Sequence, residues 1–191
     1  MNIHTETKHA VEQNTVRPSQ LIGRSPAARL ALFLTAGLFL AVPCIKAETS
    51  LAQADKDFIL AAAQGGMTEV KLGELAAQKG TRDDVKAFGQ KMVKDHTAIN
   101  DDLKALAIQK GVTLPDSLDS KHQGMVDRMA ALTGSAFDDA YVERMIKAHT
   151  KDAKAFNAEA AETKDADIKS FVDKSIPVVE DHLKRVTAMK K

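Results

Sequence analysis

Met92-Val93-Lys94-Asp95-His96-Thr97 returns 53 residues later as Met145-Ile146-Lys147-Ala148-His149-Thr150. A methionine and a histidine four residues apart sit one turn above each other on a single face of an α-helix. The flanks keep that register. Val85, Phe88, Ile99, Leu103 and Leu106 extend the first stripe, and Val142, Ala153, Phe156 and Ala160 extend the second. Spacings of three and four sustained over so many turns specify amphipathic helices. The repeat reads in two ways: as thioether–imidazole pairs lining a helical core, or as an old duplication of a packing motif placed equivalently in two hairpins.

Two further stripes complete a bundle. Phe58, Ala62, Gly65, Glu69, Leu72 and Ala76 predict a helix over 55–78, ended by Gly80. Thr81 with Asp84 three residues on predicts a capped start for the next helix, which reaches about Lys110 before Gly111. Ile168, Phe171, Ser175, Val179, His182, Val186 and Met189 predict a last helix over 165–189, bent at Pro177. The third long helix covers 135–162. The connection 111–134 carries Pro115 and a short predicted helix at 117–132 with Met125, Met129 and Leu132. Four helices of about 25 residues span about 37 Å each. Two short turns and one long crossover give an all-α, ferritin-like four-helix bundle over 55–189 with an extra helix in the crossover.

The amino-terminal part of the 191-residue chain differs in kind. Basic residues precede an uncharged apolar run from Leu30 to Ile45, which matches a secretory signal peptide over 1–47 with a long polar leader. Exit after Ala47 is expected, with the small-x-small pattern ending at Ala54 as the alternative. A run of this length is short of the roughly 20 residues a bilayer span needs. An uncleaved inner-membrane anchor at residues 30–45 is the competing reading. Cys44 follows Pro43, a poor context for lipidation.

From Asp55 onward there are 22 Lys or Arg and 23 Asp or Glu, interspersed along the chain. That balance, with one tyrosine and no tryptophan, excludes an extended nucleic-acid surface and argues against a membrane partner for this domain. The domain has no cysteine, so neither disulfides nor a thiol nucleophile is available. Gly65-Gly66-Met67 falls inside a helix rather than after a strand and is no phosphate loop; close helix packing is its expected use. His122, in the crossover, is expected to face solvent.

Each long helix places one ionisable residue on its apolar stripe: Glu69, His96, His149 and His182. An unpartnered buried polar group costs about 1–3 kcal/mol, so four of them must satisfy one another, a water or a metal ion. With Met92 and Met145 the set suits copper, or zinc or iron where the Glu and His groups dominate. No carboxylate stands three residues before any of these histidines, so the Glu-x-x-His pattern of diiron proteins is absent. Asp95-His96 and Asp181-His182 are sequence neighbours whose side chains point about 100° apart on a helix, so neither is a ready acid–base dyad. Catalysis has the least support. The alternative to metal binding is a non-catalytic envelope or interaction domain whose histidines are buried polar packing.

Several separated segments resemble one bacterial family: FILAAAQGGMTEVKLGEL at 58–75, VKAFGQKMVKDHTAIN at 85–100, KGVTLP at 110–115, FDDAYVERMIKAH at 137–149, and Ile176-Pro177 through Leu183. It is the domain of unknown function 4142 family of exported proteins, often labelled predicted outer-membrane proteins. The resemblance implies a ferritin-like helical bundle and an exported, periplasmic location, and brings no established activity. The sequence has no alternating strands that would build an outer-membrane barrel.

Overall fold

The computed structural model describes residues 50–190. Five helices follow in order: α1 (Gln53–Lys79), α2 (Asp83–Gln109), α3 (Ser120–Ala130), α4 (Gly134–Glu162) and α5 (Ala166–Ala188). There is no strand among the described residues. The signal-peptide reading of residues 1–47 lies outside the described residues, as does the first proposed exit; Ala54, the second, is inside α1.

The four long helices form the bundle, with α1 packed on α2 and α4, and α5 packed on α4 and α2. The core divides into two apolar clusters. One gathers Leu72, Val85, Phe88, Met92, Phe137, Tyr141, Met145 and Val186. The other gathers Ile59, Leu103, Leu106, Phe156, Ile168, Phe171 and Val172. Along α2 and α4 the chain passes from the first cluster to the second; along α1 and α5 it passes the other way. Hence α2 and α4 are parallel, and the crossover with α3 returns the chain to the first end, where Val126 and Met129 are buried. This is the ferritin-like arrangement expected from one long connection.

That topology corrects one reading of the repeat. The two Met-x-x-x-His copies lie on α2 and α4, the second helix of one hairpin and the first of the other, at diagonal corners of the bundle. They are not equivalent positions of two duplicated hairpins. Both point the same way along the bundle, so the methionines share one layer and the histidines the next.

The start of α2 is also built differently from its local pattern. Arg82 is the N-cap residue and no side chain of the segment caps it. Asp138 of α4, fully buried, reaches across and accepts from the backbone N–H of Thr81 at 3.0 Å and of Arg82 at 2.9 Å, and from the Thr81 hydroxyl. Burial pushes this carboxylate up, but the donors of Thr81 and Arg82 outweigh it and hold its pKa below the usual range. In α3 the Asp119 side chain accepts from His122 N–H, so the helix begins at Ser120 rather than 117. His122 is correspondingly tied to Asp119 by its ring, at 2.8 Å, and partly buried. Gly111, with φ of 66°, ends α2, and Val112 N–H reaches back to Ala107 O at 2.8 Å. Pro177 lies within α5, which continues through it.

Close approach of α1 and α2 falls at Gly73 and Gly89. A Cβ on Gly73 would stand 2.9 Å from Gly89 O, and one on Gly89 would stand 2.7 Å from Gly73 O and 2.8 Å from Ala77 N. Of the pair singled out in the sequence, Gly66 abuts Asn100, whereas Gly65 has no neighbour within 4 Å of where its Cβ would be. Gly65 therefore serves no helix contact. No described helix is long and apolar enough to cross a membrane.

Two stability outcomes follow, each read by urea denaturation. Gly89→Ala forces backbone away from backbone and costs about 1–3 kcal/mol, whereas Gly65→Ala meets nothing and gains about 0.5–1 kcal/mol from lost unfolded-state freedom. Asp138→Ala removes the acceptor of two backbone N–H groups at the start of α2 and costs about 0.5–2 kcal/mol, as loss of a helix cap does; a midpoint unchanged from the parent protein would refute the cross-helix cap.

Candidate metal centre

Between the two apolar clusters lies a polar layer. Glu69 of α1, His96 of α2, His149 of α4 and His182 of α5 are each at most 6% exposed. The ring centroids of the histidines are 5.6 Å (His96–His149), 5.2 Å (His96–His182) and 5.3 Å (His149–His182) apart, a nearly equilateral triangle. All four stripe residues singled out from the sequence as ionisable thus meet in one layer.

Each imidazole is held by one nitrogen. His149 Nδ1 donates to the backbone carbonyl of Met145 at 3.0 Å. His182 Nε2 donates to Asp95 Oδ2 at 2.8 Å, and the same carboxylate oxygen receives Lys91 Nζ at 2.8 Å. His96 Nδ1 lies 3.1 Å from Glu69 Oε2. The other nitrogens, His96 Nε2, His149 Nε2 and His182 Nδ1, are buried and make no hydrogen bond. A ring nitrogen that donates its proton to a carbonyl or carboxylate leaves its neighbour as a lone pair, which fixes the tautomer a metal requires. One ligand nitrogen from each ring lies within 4.8 Å of the other two. An ion at the centre of a triangle of at most that side is no more than about 2.8 Å from each corner, so an inward movement of the rings by at most about 0.7 Å reaches the metal–nitrogen distance of about 2.0–2.1 Å.

The electrostatics favour neutral rings. Burial lowers His96 and His182 to about 4 and His149 to about 3; for His149 the charge of His96 adds to it, and for His182 the Asp95 bond opposes it. Burial also raises Glu69 to about 7, against the Asp152 bond and the Arg144 charge. Asp152, on α4, is raised to about 7 by burial and then by Glu69. Glu69 and Asp152 are hydrogen-bonded to each other, so the pair carries one proton near neutral pH. The Glu69–His96 contact is therefore one between a carboxyl and a neutral imidazole, desolvation having outweighed their attraction. Glu69 Oε1 is buried without a hydrogen bond, 3.7 Å from His149 Nε2.

Met92 and Met145 are fully buried one turn from His96 and His149, inside the apolar cluster of Leu72, Phe88 and Val186. Both side chains contribute to that cluster's packing. Three polar groups of the layer had escaped sequence reading: Asp95, Asp152 and Asn100, whose Oδ1 is buried and unpartnered. Lys91 four residues before Asp95 was the available hint, since a lysine and an aspartate at that spacing pair along one flank of a helix.

No curated protein matches the sequence. Solved structures share its architecture at low identity. A DUF305 fragment from Deinococcus radiodurans superposes with a TM-score of 0.63 at 9% identity, covering 73% of this chain and 97% of that one. CopM in its Cu(II)-bound form gives 0.61 at 18% identity, covering 71% and 95%. Its Cu(I)-bound form gives 0.60 at 17%, covering 71% and 94%. At such identities the likeness is one of fold. The sequence itself is more specific: residues 41–189 match the family described as Domain of unknown function (DUF4142), as its separated motifs led one to expect, and the chain belongs to that family.

Proposed function

We propose that this protein binds one transition-metal ion through His96, His149 and His182, in an exported role of metal buffering or envelope protection. One observation carries the proposal. Three buried imidazoles on three helices each spend one nitrogen on a protein partner and leave the other unpartnered, and one ligand nitrogen from each ring lies within 4.8 Å of the other two. Polar packing alone would predict the opposite: nitrogens satisfied within the protein and rings apart. Copper is the first choice, because imidazole with nearby thioether suits both of its oxidation states, and a protein of the same fold is known in Cu(I)- and Cu(II)-bound forms. Zinc or iron is the alternative, with Glu69 Oε1 as a fourth, oxygen ligand. Met92 and Met145 are assigned as sulfur donors to Cu(I) only, since one turn of helix separates each from a triad histidine.

Untagged protein titrated with Cu(I), Cu(II) and Zn(II) is expected to take up one ion with a Kd below about 10 µM, roughly −7 kcal/mol. Alanine at all three histidines abolishes uptake. Asp95→Asn, which loosens the His182 ring without removing a ligand, weakens it by about 10–100-fold. Leucine at Met92 and Met145 lowers Cu(I) affinity by about tenfold and leaves Zn(II) unchanged. Absence of binding by any of these ions, or binding that survives the triple alanine variant, ends the proposal.

Acidity gives a separate signature. Protons compete with a metal for imidazole as pH falls through the ring's pKa, and these rings stand at about 3 to 4. From pH 7 to 5.5 affinity should fall by less than about thirtyfold, from Glu69 and Asp152 regaining protons, where three ordinary histidines of pKa about 6.5 would lose several hundredfold. Isothermal titration at the two pH values distinguishes these.

A further inference from the structure

We infer that the cleft over Gly65 is the entry site through which a cation reaches the buried triad, with the carboxylates of Asp152 and Glu69 as its first ligands. This rests on the metal-binding reading above. The triad histidines are at most 4% exposed, so an ion that arrives from solvent needs a route. A cavity of about 110 Å³, room for several waters, opens between α1, α2 and α4 and is lined by Gly65, Glu69, His96, Asn100 and Asp152. Among the described cavities this one reaches a triad histidine.

Two of its buried polar groups point to a ligand. Glu69, 6% exposed, brings an oxygen with no hydrogen bond, and His96, 4% exposed, brings a nitrogen with none. The order of donors is graded from outside inward. Asp152 is only partly buried, Glu69 is bonded to it, and Glu69 in turn contacts both His96 and His149. Oxygen donors suit a cation that is still partly hydrated, and imidazole suits one that has shed its water. A hydrated ion handed along this line exchanges water for carboxylate before it exchanges carboxylate for imidazole.

The mouth is kept open by a missing side chain. Gly65 is a helical glycine that would meet nothing within 4 Å if it carried a Cβ. In the middle of a helix such a residue is a net loss against alanine, and here no packing requires it. An open passage explains what packing does not. Ala61 and Ala155, both exposed, continue the small-residue rim on either side.

The test is kinetic and uses the full chain with Cu(II) alone as probe, uptake followed by stopped-flow absorbance and release by excess EDTA. Gly65→Leu fills the passage. Uptake and release are expected to slow together by at least tenfold, with Kd within threefold of the parent, because a blocked route changes both rates and neither end state. Gly124→Leu, an equal change on α3 remote from the cleft, should leave both rates as they are. If circular dichroism shows Gly65→Leu unfolded, Ala155→Leu on the facing wall of the cleft takes its place with the same expected slowing. Unchanged rates in a folded, copper-binding Gly65→Leu or Ala155→Leu protein overturn the entry site and leave the metal site standing. Failure of the parent protein to bind copper, zinc or iron overturns both.

Discussion

Gly73 and Gly89 bring the backbones of α1 and α2 into direct contact, and the depth of that contact sets the position of the polar layer. With the helices antiparallel, Glu69 lies one turn from Gly73 and His96 two turns from Gly89, both displaced toward the same end. The carboxyl of one then reaches the ring of the other at 3.1 Å. Any side chain at either glycine would widen the gap, and Glu69 is too short to follow. A second contact of the same hairpin, Gly66 against Asn100, continues the register. The α4–α5 hairpin closes on this platform, held in part by Asp138 on the start of α2.

Energetically the layer is an interruption. Apolar burial contributes about 25 cal/mol per Å² removed from water, and here the core gives up a full stratum of such contact to three imidazoles and a carboxyl. Desolvation drives every one of these groups toward its neutral form: the rings down to about 3 or 4, Glu69 up to about 7. A neutral layer is far less costly than a charged one. It nevertheless keeps five buried polar atoms without hydrogen-bond partners, counting Glu69 Oε1 and Asn100 Oδ1 with the three nitrogens. Folding stability is lowered there, and an ion would return it by linkage, as RT ln(1 + [L]/Kd).

The sequence made the layer visible because helical periodicity sorts residues by face. His96, His149, His182 and Glu69 each broke an otherwise apolar stripe, so one group per helix could be named before any geometry was known. What periodicity cannot see is contact between helices. Asp95 precedes His96 yet serves His182 from a neighbouring helix; Asp152 lies off the stripe yet bonds Glu69; Asp138 caps a helix that its own chain segment does not form. Thr81 and Asp84 had the spacing of a capping box, but the stronger, fully buried acceptor took Thr81. Gly65-Gly66 was read as one unit, although only Gly66 touches a neighbouring helix. The sense of the repeat, too, depended on the direction of α4, which local pattern does not encode.

The placement of the two repeats at diagonal corners has a mechanical meaning. His96 belongs to one hairpin, His149 and His182 to the other, with 53 and 33 residues of chain between successive rings. Neither hairpin alone offers three rings. An ion joining them would act as a reversible cross-link, closing two loops whose entropy the free chain otherwise keeps, a gain that grows only as the logarithm of loop length. Such a fastener sits midway along the bundle, where it would tie the two halves of the fold together rather than clip an end.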